Sequence, residues 1–240
     1  MTKPELITLV RKGSAIWNTF RKENPSTRID LSSTNLAGCQ LEHVNLEGAN
    51  LLDVNLSRTN LSGADISRAN LAEANLCGAI LNGATLKQAN LGEADLTETR
   101  LQHANLSYAN LLKADLSEAD LTEAILLEAN LHQVIATRAI FKMTIFKGAK
   151  LREGQFQGAD WEGADLHQAD LAHASLIKGN FQNARFTGTS LIRANFENAD
   201  LRNTVDLTGD QLVKVLSLRG TKLEHVLEQS LSISHPDLFG

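Results

Sequence analysis

From Leu31 to Leu201 a large apolar residue recurs at every fifth position without a phase slip, 35 positions in all, and only Ala136 among them is small. Two residues before each, the 34 slots from Thr34 to Ala199 hold 23 Ala, 5 Thr, 3 Val, 2 Gly and 1 Cys. A period of five fits neither regular element. On an α-helix five residues rotate by about 500°, which smears the apolar positions around the axis. On a flat strand, odd spacing sends successive leucines to opposite faces. The pattern therefore predicts a chain that turns a corner at each repeat, so that every central Leu or Phe points to one axis beside a small neighbour. The size limit at the small slot follows from the narrowness of such a coil. Gly38, Gly48, Gly63, Gly78 and Gly83 fall at the last position of repeats, where a corner favours a residue tolerant of positive φ.

The pattern [A/T/V]-[N/D]-[L/F]-x-x, as in ANLAEANLCGA (69–79) and ADLSEADLTEA (114–124), resembles the pentapeptide-repeat family over residues 31–201. The resemblance implies an all-β solenoid, a right-handed quadrilateral parallel β-helix with four pentapeptides per coil. It implies about nine coils and a rod about 40 Å long at ~4.8 Å per coil. The Asn or Asp before each central residue is expected to bond to nearby backbone at the turn.

A solenoid exposes an apolar cross-section at each end unless it is covered. Residues 1–28 read as a helical N-terminal cap. Thr2 and Glu5 form a capping box ahead of Leu6, Leu9 and Val10, and Gly13 stops that helix. Ser14 starts a second helix that Asn24-Pro25 ends. The string WNTFRKENPSTRIDLS is similar to the helical cap of many cyanobacterial family members. The repeat is expected over 29–206. Residues 207–240 read as a C-terminal helical cap and tail, with Thr208/Gln211 and Thr221/Glu224 as capping boxes. The last helix, through Val226, Leu227 and Leu231, serves either as an intramolecular cap or as a dimer contact of the kind some family members form.

The composition, 42% hydrophobic but 5% aromatic with a net charge of −5, suits a core of small aliphatic side chains. It argues against direct nucleic-acid binding through a basic surface. No apolar run approaches the roughly 18 residues of a membrane span, and the N-terminus lacks the pattern of a secretory signal, so a cytoplasmic protein is expected. Cys39 fills a small inward slot and Cys77 lies on the surface, about 9–10 Å apart, too far for a disulfide.

No catalytic, metal or cofactor site emerges, and a rod with a filled interior offers no small-molecule pocket. His43 and His103 share a row but stand about 14 Å apart, far beyond joint metal ligation. No Gly-rich phosphate loop is present.

Surfaces remain. Over 93–128 eight carboxylates, including Glu93, Glu98, Glu118, Glu123 and Glu128, face Arg100 and Lys113. Over 131–155 the balance reverses, with Arg138, Lys142, Lys147, Lys150 and Arg152 against Glu153. There the slot before the central residue becomes Ile135, Ile140 and Ile145, with Ile125 one coil below Ile145. Exposed isoleucines among cations read as a surface for an as yet unidentified protein partner. The rival reading of this stretch is a packing transition, because the interior changes here from Leu to Phe and Trp, with Phe156 expected to fill the volume missing at Ala136. The favoured function is a non-enzymatic protein-interaction rod. The alternative is the imitation of DNA by which some family members act on DNA gyrase, which the acidic segment favours and the basic band opposes.

Overall fold

The structure, a computed structural model, describes residues 1–240. Every fifth residue makes a parallel bridge to the residue 20 positions later, from Asp30↔Asn50 to Arg185↔Val205. Four bridges per circuit of 20 residues give the coil four sides. The first side carries the row Asp30, Asn50 to Ser190; the second Asn35, Asn55 to Asn195; the third Gln40, Asn60 to Asp200; and the fourth Asn45, Asp65 to Val205.

Each repeat contributes a fixed set of backbone bonds. The central N–H donates to the next coil (Leu31 N to Asn50 O, 2.8 Å), as does the corner N–H (Gly38 N to Ser57 O, 2.9 Å). The small residue donates back across the turn, as Cys39 N does to Leu36 O at 3.2 Å. All 35 corner positions from Ser33 to Asn203 have positive φ, and only nine are glycine. The order, negative φ and then positive φ, is that of a type II turn. A left-handed residue with a side chain costs about 1–2 kcal/mol, so the coil-to-coil bonds hold the corner against a local preference. Some corner glycines have a further cause. A Cβ on Gly63 would stand 2.5 Å from Nδ1 of His43, and one on Gly163 would stand 2.6 Å from Sδ of Met143. The corner side chain of one coil lies over the glycine of the next.

The Asn and Asp residues act as expected: Oδ1 of Asn55 accepts from Ser57 N at 3.0 Å and Oδ1 of Asp95 from Thr97 N at 2.9 Å. On the first side Asn70, Asn90, Asn110 and Asn130 also form an amide ladder, in which Nδ2 of Asn90, Asn110 and Asn130 each donates to the Oδ1 of the residue below at 2.8–2.9 Å.

Inside, every central residue from Leu31 to Leu201 is at most 2% exposed. Threonines in the small slots satisfy their hydroxyls on backbone carbonyls, Thr144 on Leu121 O and Thr189 on Leu166 O, both at 2.7 Å. From Phe141 onward the axis becomes aromatic: Phe141 and Trp161 rings lie 4.4 Å apart, and Trp161 stacks on Phe181 at 5.6 Å with a 12° interplanar angle. Phe156 packs edge-on against Trp161 at 5.1 Å. Gly154 and Gly179, the two glycines in small slots, precede phenylalanines for a steric reason. A Cβ there would meet Cε2 of Phe156 at 2.3 Å or of Phe181 at 2.6 Å.

At the N-terminal end α1 (Lys3–Val10) and α2 (Ser14–Glu23) lie across the first coil, with Leu6, Val10 and Trp17 buried. Thr2 and Glu5 form the capping box. Side chains of α2 stand in for a missing coil: Trp17 Nε1 donates to Asn45 O at 2.7 Å, while Arg21 donates to Glu47 O at 2.8 Å. Asn18 donates to His43 O and accepts from Asn45 N, both at 2.8 Å.

The C-terminal end differs from the expected helical region over 207–240. The capping box at Thr208 starts only the single turn α3 (Gly209–Leu212), and the chain then returns to the coil. Ser217 and Lys222 bridge Asn195 and Asp200, with Leu218 and Leu223 buried as central residues. Thr221 is therefore no helix cap. It occupies a small slot, donating to Phe196 O at 2.8 Å, and Glu224 accepts from Asn203 N at 2.8 Å. Helix α4 (His225–Ser234) and the 3₁₀ turn Pro236–Phe239 close the end, with Leu218 N bonded to Leu238 O at 2.7 Å.

Candidate functional site: the side faces of the rod

The 20-residue register decides which outward side chains meet. Ile125 and Ile145 are bridge partners on the fourth side. Ile135 lies on the second side, between Asp115 and Gln155, and Ile140 on the third, between Asp120 and Asp160. The isoleucines thus do not form one patch, as their closeness in sequence suggested. They run around the rod, because five residues advance the chain by one side. Ile135 and Ile145 are 36% and 37% exposed, so both face solvent.

The cations follow the same path. Arg138 stands at the second-side corner, Lys142 on the third side, Lys147 on the fourth, and Lys150 with Arg152 on the first. Three are neutralised by neighbouring coils: Arg138 pairs with Glu118, Lys142 with Glu162 at 3.0 Å and Asp160 at 3.2 Å, and Arg152 with Asp170 at 3.2 Å. Hydrogen bonds from Lys142 to Glu162 and Asp160 raise the lysine's pKa. Lys147 and Lys150 are exposed and have no carboxylate partner.

The acidic residues are also dispersed. Glu98 and Glu118 stack on the second-side corner beside the bridged pair Asp95 and Asp115. Glu93, Glu123 and Glu128 stand on the other three corners, with Glu123 3.2 Å from His103 Nδ1. Glu153 has its pKa lowered, chiefly by the hydrogen bond from Gln133. No three His, Cys, Asp or Glu side chains converge as metal ligands. No helix is long and apolar enough to cross a membrane.

One side concentrates apolar exposure. On the fourth side Ile125 and Ile145 are joined by half-buried Leu127 and, at the two flanking corners, by Tyr108 (51% exposed) and Met143 (61% exposed). Tyr108 N donates to Leu127 O at 2.8 Å, which locks them on adjacent coils. Tyr108, Leu127 and Met143 escape a reading of contiguous sequence, but counting in steps of 20 from 68, 107 and 103 finds all three. Below them a shallow groove is lined by Glu47, Ser67, Arg68, Lys87, Gln88 and Tyr108. At the C-terminus Leu231 is buried and Leu227 packs on the core, whereas Val226 is 79% and Ile233 84% exposed.

A family model described as Pentapeptide repeats matches in eight copies over residues 27–63, 59–97, 79–115, 114–152, 155–188 and 180–209. Solved structures similar to the chain include HetL, a pentapeptide repeat protein involved in heterocyst differentiation regulation from the cyanobacterium Nostoc sp. strain PCC 7120. It is 27% identical, with 85% of this chain and 92% of that one covered and a TM-score of 0.31. Another is trypsin-treated QnrB1, a plasmid-mediated fluoroquinolone resistance protein. It is 19% identical, with 89% and 99% covered and a TM-score of 0.42. No curated protein matches the sequence.

Proposed function

The chain belongs to the pentapeptide-repeat family, and from that premise we propose that it is a non-enzymatic protein-interaction rod acting through its sides. In this reading it is a right-handed quadrilateral β-helix of about nine coils, closed by helices at both ends and regulating a protein partner by binding it. The observation that carries the reading is the fourth-side patch around Ile125 and Ile145. There two aliphatic side chains, half-buried Ile125 and exposed Ile145, replace the Asn or Asp that most often bonds the turn, and lie side by side on adjacent coils. Contiguous apolar surface flanked by polar groups marks interaction sites more than scattered hydrophobes do. Ile135, Ile140, Arg138, Lys142, Lys150 and Arg152 then belong to the surface and packing of other sides rather than to the contact.

Affinity capture from the native host tests it. The full chain retains a protein that the Ile125→Asn/Ile145→Asn/Lys147→Glu variant loses; equal retention by both overturns the assignment.

The DNA-mimic alternative is favoured by the stacked carboxylates Asp95, Glu98, Asp115 and Glu118 on the second side. It is opposed by Arg138, which pairs with Glu118 on the next coil. Inhibition or protection of DNA gyrase in a supercoiling assay supports that alternative, and no effect at high micromolar protein removes it.

A further inference from the structure

The partner-binding reading leaves the partner's chemistry open, and the fourth side restricts it. Its apolar patch reaches from the Met143 corner to the Tyr108 corner, the full width of the side. That is wider than one strand, which occupies about 4.8 Å, and suits a helix about 10 Å across. The patch is also bracketed along the axis. Lys87 and Lys147 lie on one row of the fourth side, three coils apart, about 14 Å, and a helix covers that distance in about nine residues. Both lysines are exposed and neither has a carboxylate partner; the salt bridges of this side are Arg68 with Glu47 at 3.4 Å and His103 with Glu123 at 3.2 Å. The acids nearest the patch are Asp165, bridge partner of Ile145 on the next coil, and Glu123 and Glu128 at the corners. Oδ1 of Asp165 accepts from His167 N at 3.0 Å, and the Glu128 stem lies along Gly148, 3.1 Å from where a Cβ would be. The row that runs from Lys87 through Ser107 and Leu127 to Lys147 thus carries a lysine at each end.

We propose that the fourth side binds an amphipathic α-helix of the partner, laid along the rod axis, with an apolar stripe on Ile125, Leu127 and Ile145 and acidic side chains reaching Lys87 and Lys147. This inference rests on the partner-binding reading. A helix docks by side chains at i, i+3, i+4 and i+7 on an apolar strip, and paired end charges set its register.

Full-length protein carrying p-benzoylphenylalanine at one exposed or half-exposed position per side tests both claims. The positions are Gln88 on the fourth side, Leu112 on the first, Thr137 on the second and Thr122 on the third. After irradiation in host lysate, the crosslinked peptide is sequenced. The proposal predicts a crosslink from Gln88 to a segment with helical apolar spacing and Asp or Glu about nine residues apart. A synthetic peptide of that segment binds the wild-type chain and weakens at least tenfold when its acids become amides or when Lys147 is replaced by Glu. A crosslink from another side alone overturns the proposal, as does one to a basic segment, an extended segment or a second copy of this chain. All of these leave a partner-binding rod intact. No crosslink from any side overturns the partner-binding reading as well.

Discussion

The indole Nε1 of Trp17 donates to the carbonyl oxygen of Asn45 at 2.7 Å, across 28 residues of sequence. That carbonyl belongs to the fourth side of the first coil and has no preceding coil to bond it. A helix side chain supplies the donor that the preceding coil supplies in the later coils.

Trp17→Phe keeps the buried ring but removes the donor. A net hydrogen bond contributes about 1 kcal/mol, and we expect a fall in Tm of about 2–4 °C together with faster amide exchange in the first coil. An unchanged melt and unchanged exchange at Leu46 contradict the edge-capping role.

Gly154→Ala places a methyl 2.3 Å from the Phe156 ring. Overpacking of this kind costs about 1–3 kcal/mol. Gly83 has the opposite character: it has φ +65 and no neighbour within 4 Å of its Cβ position. Gly83→Asn should therefore cost under about 1 kcal/mol, since Asn tolerates the left-handed region and Asn183 and Asn198 already occupy equivalent corners. Urea unfolding of the two variants checks the order, and equal losses refute the distinction between packing glycines and corner glycines.

Asp200 is held by Arg202 through two bonds, Nε to Oδ1 at 2.9 Å and Nη2 to Oδ2 at 2.6 Å. The Arg202 side chain is the main cause that lowers the carboxyl pKa from 3.8 to about 2. A depressed folded pKa contributes stability that is present above the unfolded value and lost as pH falls through the folded one. Arg202→Ala should be less stable than wild type by a constant amount above about pH 4, and the gap should close between pH 4 and pH 2. Thermal melts over pH 2–6 measure it; a gap independent of pH contradicts the pairing.

Much of the fold was legible because one period specifies both the interior and the turn. Leu31 to Leu201 locate the axis, and the Asn or Asp before each central residue marks the bond that closes the corner. The C-terminal return was not legible. Bridges there span 22 residues, Asn195↔Ser217 and Asp200↔Lys222, because the α3 turn inserts two residues and breaks the count. Leu218, Gly220, Thr221 and Leu223 then look like a helical pattern although they rebuild a coil. The candidate surface was half legible for a related reason. Ile135, Ile140 and Ile145 are neighbours in sequence but lie on three sides, whereas Tyr108, Ile125 and Ile145 are far apart in sequence and lie on one.

The dimer contact expected at Val226, Leu227 and Leu231 divides between two environments. Leu231 is 3% exposed and packs within the chain, so Leu231→Ala should destabilise the C-terminal end by about 2–5 kcal/mol without changing the sedimentation coefficient of the folded protein. Conversion of a dimer to a monomer by that substitution contradicts an intramolecular cap.

The central claim is that the fourth side is the binding surface, and the affinity of the captured partner for Ile125→Asn/Ile145→Asn tests it most directly. Asn is the commonest residue of that slot, so the variant should fold with a stability within about 0.5 kcal/mol of wild type. Calorimetric titration should show binding weakened at least tenfold while Ile135→Asn/Ile140→Asn binds as wild type does. Equal affinity for all three proteins, or a loss confined to Ile135→Asn/Ile140→Asn, contradicts the assignment.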